Sequence, residues 1–481
     1  MSAIDGFVIE PKPTVHFGVG AIDQLPGVVR ATGAGQVVVV TDDALASTSV
    51  IATVRAVLAD AGISASLFGG VHANPTTGDV AAGAAAVTAT AADAAAFASA
   101  AAVTAAVTAT LRASAPTTPA APHARSASSA PRIALVAVGG GSAIDAAKGI
   151  AIAAVNPQRG RDLDLRGDFT DLRGDFTVPA LPIVAVPTTA GAGAEANAFG
   201  VVTDPVAHRQ FYLGHAGTMP AAAVLDPELA ADVPPAVIAG CGLDALTRAL
   251  ESYLALRPNP WSDGIALQVI RMIAASLPRA CADGADLAAR SQMLLAAHMA
   301  GVAMANTGLG LCHAIAQSLG GRWNIAPGVA LAMLLPDVLR FNLPVRTGRL
   351  ADVAFALDVG DTRAAAGRNA AAAIDAVAAL REQVGLTGGL GITEADFAQI
   401  TADALDNEVL ASTPRQPTGD DIGALLSGLA SGRPLRRLLP SSLVLCLPLA
   451  LRGAFRRPLR LAGEASLCCD ASGQHADHRH R

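Results

Sequence analysis

Short apolar runs alternate with amphipathic segments over the first half of the chain. Val37–Val40, Ile133–Val138 and Leu181–Val186 are apolar along their whole length and rich in β-branched residues, which is typical of strands buried on both faces. Amphipathic segments such as residues 49–61 lie between them. Buried strands that alternate with helices predict a doubly wound parallel sheet of the α/β class. We also expect a short strand pair at residues 7–20.

One of these apolar runs leads directly into a glycine loop at the start of an alanine-rich helix. The loop consists of three glycines and a serine: Gly139, Gly140, Gly141 and Ser142. Backbone N–H groups point out of the first turn of a helix, and glycine lets a phosphate approach the backbone closely. The loop is neither a GxGxxG nor a Walker sequence. It predicts a site for the pyrophosphate of a dinucleotide; the alternative is a tight turn that binds no ligand.

The carboxylate that ends the valine-rich strand is a second candidate for cofactor binding. Asp42 follows Val37–Val40 after one threonine, and an acidic residue at the carboxyl end of such a strand is placed to contact a cofactor ribose. The sequence TDDAL also suits a helix N-cap at the same residue. Both interpretations stay open at this point.

The pattern changes after the proline-punctuated segment Val224–Pro235. From Ala236 to about Leu429 the spacing of apolar residues is helical, with no convincing strand. We therefore expect an α/β dinucleotide-binding domain at residues 1–222, followed by an all-helical C-terminal domain for metal and substrate at residues 223–432. Ligand sites favour the crevice between two such domains, so the active cleft is expected there.

Three segments do not fit this pattern. Residues 81–131 form an alanine- and threonine-rich insertion that ends in a proline- and serine-rich linker, and its first part is expected to extend a helix. Residues 164–177 repeat DLRGDFT twice, which indicates a slippage duplication in a surface loop. Residues 433–481 are rich in arginine, leucine and proline, and we expect a disordered tail.

The composition of the chain argues against some classes of binding partner. The chain has 481 residues, a net charge of −6 and a pI of about 5.9, which argue against nucleic acid or an anionic membrane as partner. We find no apolar run long enough to suggest a membrane span. Six cysteines without a CxxC pair fit a reducing compartment. Because the N-terminus also lacks the pattern of a signal peptide, a cytoplasmic location is expected.

Several motifs then occur together in a specific order. They are FGVG, VTD, the NPT of HANPTTGD, GGGSAIDAAK, PTTAGAGAE, LDPEL, GLDALTRALE and AGVAMANTGLGLCHAIAQSLGG. This set resembles the iron-containing (group III) alcohol dehydrogenase family of the dehydroquinate synthase-like superfamily, over roughly residues 10–430. The resemblance implies an NAD(P)-dependent oxidoreductase that interconverts a small alcohol and an aldehyde or ketone by hydride transfer. It also implies that such chains form homo-oligomers.

The resemblance assigns the cofactor site residue by residue. The glycine loop matches the pyrophosphate-binding loop, and Asp42 matches an acidic residue that favours NAD(H) over NADP(H) by repelling the extra phosphate. Positions near the ribose, the nicotinamide or the cleft are matched by Asn74, Asp145, Thr188 and Thr189.

The family metal site is matched only in part. The family binds a divalent ion, iron or zinc, through one aspartate and three histidines. Asp244 and His313 match two of these ligands, whereas Arg248 and Pro327 stand at the other two. Gln317 stands where a histidine is often assigned to proton transfer. An arginine is not a ligand, and two ligands are fewer than a typical site uses, so the set is incomplete.

Other histidines were considered as substitute ligands. His72, His208, His215 and His298 lie elsewhere in the family-like part of the chain, and nothing in their spacing places them beside Asp244. The more ordinary expectation is that these side chains serve the surface or the core.

Arg248 suggests a different catalytic arrangement. Its guanidinium, one helical turn from Asp244, is expected to pair with that carboxylate and to polarise a carbonyl oxygen or hold a substrate carboxylate. His313 is then the expected acid. The alternative is a catalytically silent or metal-independent homologue, such as a maleylacetate reductase-like carbonyl reductase or a cofactor-binding interaction protein.

Overall fold

The computed structural model describes residues 13–92, 132–156 and 178–430 apart from 232, together with positions 7 and 9. Most of the expected insertion, the duplication at 164–177 and the tail at 433–481 lie outside the described residues. Within the described part, a helix does extend into the start of the insertion, from residue 77 as far as 92.

Six parallel strands form the central sheet. In chain order they are β1 (Thr14–Phe17), β2 (Gln36–Asp42), β3 (Ser64–Val71), β4 (Ile133–Gly139), β5 (Ile183–Pro187) and β8 (Ala222–Leu225). Their order across the sheet is β1-β8-β5-β4-β2-β3. Only part of the expected strand pair at residues 7–20 lies within the described residues; there β1 pairs with the distant β8, since Thr14–Phe17 meets Ala222–Leu225 in parallel register.

Helices cover both faces of this sheet, as its wholly apolar strands predict. They are α1 (Leu25–Ala31), α2 (Ser49–Asp60), α3 (77–92) and α4 (Gly141–Ala153). Val37 and Val39 pack with residues of α1 and α2, whereas Val38 and Val40 pack with residues of α3 and α4. Alternate residues of one strand therefore enter two separate cores. The predicted doubly wound α/β fold is confirmed.

The strand order reverses between β2 and β4. From β2 the chain moves outward to β3, and from β4 it moves in the opposite direction to β5 and β8. The carboxyl ends of β2 and β4 lie side by side, since Val40 is in register with Ala137. Open α/β sheets bind ligands in the crevice at such a point, and the glycine loop begins there.

A two-stranded antiparallel hairpin, which the sequence analysis did not predict, stands apart from the main sheet. Its strands are β6 (Phe199–Asp204) and β7 (Arg209–Gly214). A bridge from Thr76 to Thr203 connects it to the loop after β3. Valine, phenylalanine and tyrosine flank the Asp-Pro turn of this hairpin, a signal that was available in the sequence.

The second half of the described chain is helical, as expected. The helices are α5 (Pro235–Leu254), α6 (Pro260–Ala282), α7 (Leu287–Met304), α8 (Leu311–Trp323), α9 (Pro327–Ala356, kinked at Arg346), α10 (Ala366–Gln383), α11 (Glu394–Leu405) and α12 (Gly419–Ala430). They share one large apolar core. By length and composition, α6 and α9 would also suit a membrane span; their most apolar windows are 44% and 61% buried in the fold.

Candidate active site

The glycine loop has the backbone geometry that its sequence demands. Gly139 has φ +149°, a conformation that other residues rarely adopt, and a Cβ added there would lie 3.3 Å from Asp42 Oδ2. Gly140 precedes α4 in extended conformation and caps the helix without a side-chain hydrogen bond. The first N–H groups of α4 therefore remain directed at the crevice, where they and the helix dipole suit a bound anion.

A second loop, after β5, packs against the glycine loop. Thr188 N–H donates to Gly139 O over 2.9 Å. A Cβ on Gly140 would lie 3.1 Å from Thr189 Oγ1, and one on Gly141 would lie 2.6 Å from Ala192 Cβ. The absent side chains thus allow the two loops to touch, so Thr188 and Thr189 lie beside the predicted pyrophosphate site.

Asp42 and Asn74 border the same crevice on its other side. Asp42 accepts a hydrogen bond from Leu45 N–H over 2.9 Å, and burial raises the pKa of this carboxyl. The helix N-cap interpretation of Asp42 is wrong, because α2 begins only at Ser49; the carboxylate closes a turn instead. The Asn74 side chain donates to Asn324 Oδ1, which connects the loop after β3 with the end of α8.

Asp145 and Lys148 extend from α4 toward the hairpin. Asp145 accepts from Val201 N–H over 3.0 Å and lies 3.5 Å from Lys148 Nζ. The ammonium is fully buried and donates to Ala194 O and Asn197 Oδ1. Burial lowers the pKa of Lys148. These contacts hold helix α4, which follows the glycine loop, against the hairpin. Asp145 also faces the cavity described below.

Asp244, Arg248 and His313 lie together on the helical side of the cleft. Arg248 Nε donates to Asp244 Oδ1 over 2.8 Å, so the pair expected from the sequence is present. His313 Nε2 lies 3.6 Å from the same oxygen. Burial by itself would raise the pKa of Asp244, but Arg248 and His313 outweigh it and the pKa is lowered. Burial lowers the pKa of His313, but carboxylates including Glu251 outweigh it and the pKa is raised.

Glu251, which the sequence analysis did not single out, orients His313. Its carboxylate is 2.6 Å from His313 Nδ1 and accepts hydrogen bonds from the N–H groups of Gly310 and Cys312. It therefore caps α8 and fixes the imidazole at the same time. Within the described part of the chain, His313 Nε2 is in contrast buried without a hydrogen-bond partner.

The position of the fourth family ligand is close to this cluster. Pro327 is the first residue of α9, and Gly328 packs so tightly on α5 that an added Cβ would lie 2.4 Å from Gly240 O. Gly240 is one turn before Asp244, and residues four apart are neighbours on a helix face. Within the described residues, no group of three or more His, Cys, Asp and Glu side chains is placed to hold a metal ion.

The four histidines that the sequence offered as substitute ligands lie in other surroundings. His298 lies 3.2 Å from Glu195, and His72 lies 2.8 Å from Asp79. His215 accepts from Gly217 N–H at the end of the hairpin, and His208 occupies the hairpin turn with φ 53°. None of these contacts involves Asp244.

A cavity of about 270 Å³ connects the two sides of the cleft. Its polar lining includes Asp145 from α4, Tyr212 from β7, Arg248 from α5 and His313 and Gln317 from α8. Phe199, Val201, Met304, Leu309 and Val409 contribute apolar surface. The size and mixed lining suit a small organic molecule. Tyr212 was missed in the sequence because the hairpin that carries it was missed.

Sequence comparison identifies the same organisation in known proteins. Residues 12–96 and 98–227 match the family described as iron-containing alcohol dehydrogenase, and residues 238–430 match its C-terminal family. The probable alcohol dehydrogenase EutG of Escherichia coli K12 is 41% identical over 297 residues, which cover 60% of this chain and 71% of that protein. Alcohol dehydrogenase 4 of Schizosaccharomyces pombe is 31% identical over 85% of this chain and 86% of its own length.

Solved structures agree with this assignment. A 1,3-propanediol oxidoreductase superposes with a TM-score of 0.74 at 31% identity, covering 88% of this chain and all of the other. The sulfoacetaldehyde reductase of Bifidobacterium kashiwanohense, solved with NAD+, superposes with a TM-score of 0.70 at 25% identity, covering 89% and 100%. The family-wide sequence match and the shared fold together show that this chain is an oxidoreductase of the iron-containing alcohol dehydrogenase family.

Proposed function

We propose that this chain interconverts a small alcohol and an aldehyde or ketone with NAD(H), and that the Arg248 guanidinium takes the place of the family's metal ion. The observation that carries this proposal is that Arg248, paired with Asp244, lines the same cavity as His313 and as Asp145 of α4. The relatives named above act on alcohols or aldehydes, which supports the reaction class.

The described residues fit a dinucleotide but not a metal ion. The glycine loop packs closely against the loop after β5, and the first N–H groups of α4 face the crevice, which suits a bound pyrophosphate. On the helical side of the cleft, Asp244 and His313 offer two side chains that could coordinate a metal ion, and the Arg248 guanidinium lies beside them. A permanently charged arginine repels a cation and supplies no lone pair. We therefore derive no catalytic step through a metal.

The side chains divide the remaining work. A bound nicotinamide supplies the hydride to the carbonyl carbon in reduction and accepts it in oxidation. Arg248 retains N–H groups that Asp244 does not use, and we assign them to the carbonyl oxygen as negative charge develops there. His313 gives that oxygen a proton from Nε2, which completes the alcohol, while Glu251 holds the ring at Nδ1.

The finer assignments belong to the same proposal. Asp42 is proposed to favour NAD(H) over NADP(H) through repulsion of the additional phosphate. Cytoplasmic location and homo-oligomer formation remain predictions. No nucleic acid or membrane is required as a partner for this chemistry.

The first test is NADH oxidation with a panel of C2–C6 aldehydes and ketones, in the wild type and in Arg248→Ala. We expect kcat/KM to fall by about 10³-fold in R248A, because a preorganised donor to the developing oxyanion is lost. The dissociation constant for NADH should stay within about twofold, since Arg248 lies outside the glycine loop.

A matched variant guards against misfolding. R248A leaves Asp244 buried without its partner, a costly state, so the double variant R248A/D244N removes both charges and should fold while remaining inactive. An R248A protein with wild-type turnover contradicts the role of Arg248. A wild type that binds NADH without oxidising it with any carbonyl supports the silent homologue instead.

A further inference from the structure

A chain of three polar side chains runs from the edge of the cavity to a backbone N–H group. Val409 N–H donates to Asn407 Oδ1 over 3.1 Å, and Asn407 Nδ2 donates to Gln317 Oε1 over 2.7 Å. Gln317 Nε2 in turn donates to the Tyr212 hydroxyl oxygen. The chain joins the segment after α11, helix α8 and strand β7. Tyr212, Gln317 and Val409 also line the cavity.

The backbone N–H group of Val409, at one end of the chain, fixes the direction of the other hydrogen bonds in it. A backbone N–H group only donates, so Asn407 must present Oδ1 to Val409 and Nδ2 to Gln317. Gln317 must then present Oε1 to Asn407, which leaves Nε2 for the tyrosine. Tyr212 Oη is therefore an acceptor in this contact, and its own proton points elsewhere.

The phenol proton has no acceptor among the described side chains and backbone groups. The hydrogen bond from Gln317 is the contact found for Tyr212 Oη there, while the residue itself borders the cavity beside Arg248 and His313. Burial raises the pKa of Tyr212 far above its usual value, so the proton stays on the phenol at neutral pH. A hydroxyl that is held as an acceptor on one side can donate on the other.

We propose that the Tyr212 hydroxyl donates a hydrogen bond to the oxygen of the alcohol or carbonyl compound in the cavity, and that Asn407 and Gln317 set the direction of this donation. This inference rests on the proposed function, because it requires an uncharged oxygen-bearing substrate in that cavity. Gln317 stands where the family often has a histidine, and here an amide, which does not titrate, transmits orientation instead of a proton. Gln317 and Asn407 are positioning residues in this scheme.

The first experiment compares Tyr212→Phe with the wild type on the same aldehyde panel. We expect kcat/KM to fall by about tenfold, the effect of one neutral hydrogen bond, with an unchanged dissociation constant for NADH. Tyr253, the other tyrosine of the chain, donates its hydroxyl to Asp352 at a separate place. Y253F is therefore the matched control and should leave kcat/KM unchanged.

The second experiment reverses the direction of these hydrogen bonds by changing Asn407, which is not one of the residues that line the cavity. In Asn407→Asp the carboxylate still accepts from Val409 N–H but cannot donate to Gln317. The amide of Gln317 then turns its nitrogen toward position 407 and its oxygen toward Tyr212. The Tyr212 hydroxyl donates to that oxygen and is no longer free to donate to the substrate. We expect N407D to lose about as much kcat/KM as Y212F. The double variant should lose no more than either single one, whereas independent effects would multiply to about a hundredfold.

Binding of butyramide, an unreactive carbonyl compound, separates this inference from the proposed function. Calorimetry on the NADH complex should show about tenfold weaker binding in both Y212F and N407D. If neither substitution changes turnover or butyramide binding from the wild-type values, the proposed role of Tyr212 is wrong. The proposed function is unaffected by that result. Multiplicative losses in the double variant overturn the proposed direction of the chain. A wild type that neither turns over aldehydes nor binds butyramide overturns both proposals.

Discussion

The two sides of the cleft depart from their family to different degrees. On the glycine-loop side, the motifs GGGSAIDAAK and PTTAGAGAE are present, and the loops touch where side chains are absent. On the helical side, Arg248 and Pro327 stand where the resemblance implies metal ligands, and Gln317 stands where it implies a histidine. The first side relies mainly on backbone N–H groups and close packing of backbone, whereas the second relies on the identity of individual side chains.

This difference leads us to expect that the two sides respond differently to substitution. A phosphate cradle needs a backbone conformation, and glycines provide it whatever the neighbouring side chains are. A metal site needs a specific set of coordinating side chains, and it no longer binds the ion when a cationic side chain takes the place of one of them. The charge is nevertheless retained here, since Arg248 places a fixed cation beside Asp244. We propose that the means of stabilising the substrate oxygen has changed while the cofactor side is kept.

The largest expected effect is the recovery of a metal site by Arg248→His together with Pro327→His. These substitutions supply the two missing family ligands beside Asp244 and His313, and position 327 already lies at the start of α9, close to α5. After incubation with zinc and desalting, mass spectrometry should find about one zinc per chain in the double variant and close to none in the wild type.

Its control is the same double variant with His313→Ala, which should lose the metal again. Near-stoichiometric zinc in the wild type would contradict our interpretation of Arg248 and would mean that another side chain completes the site.

A smaller effect is expected from overpacking the glycine side with Gly141→Ala. The new Cβ would lie 2.6 Å from Ala192 Cβ, so the two loops must separate. Overpacking costs about 2 kcal/mol, and we expect NADH to bind about thirtyfold more weakly by fluorescence titration. In Gly264→Ala on α6, the new Cβ would have no described atom within 4 Å apart from its own helix backbone, and this variant should not alter NADH binding. Equal NADH affinity in G141A and the wild type would argue against a cofactor at this loop.

The smallest effect concerns the choice between NADH and NADPH. Replacement of Asp42 by serine removes the carboxylate beside Gly139 and should shift the ratio of kcat/KM values toward NADPH by about tenfold. The neighbouring Asp43 is exposed, so D43S is the matched control and should leave the ratio as it is. If both variants shift the ratio equally, long-range charge and not contact determines the preference.

Prediction from sequence was most successful where a pattern is local. The apolar strands, the glycine loop and the helical second half were all expected, because burial on two faces and helical spacing are visible in neighbouring residues. The hairpin at residues 199–214 and the pairing of β1 with β8 were missed. Both depend on contacts between segments far apart in the chain.

The candidate site shows the same limit. The sequence identified Asp244, Arg248 and His313 through motif positions, and the spacing of the first two on one helix predicted their ion pair. Glu251 was inside a quoted motif but had no evident task until α8 brought the N–H of Cys312 and the His313 ring to its carboxylate. Assignment of these residues to roles in catalysis remains a proposal.

The sequence by itself therefore determined the family, the doubly wound sheet and the glycine loop, and it placed Arg248 where the resemblance implies a metal ligand. These are properties of short segments and of residue identity. Only the tertiary structure decided that Tyr212, Gln317 and Asn407 form one directed hydrogen-bond chain at the cavity. Its members are separated by about ninety residues or more in the chain, and hydrogen bonds depend on distances of about 3 Å that no local pattern encodes.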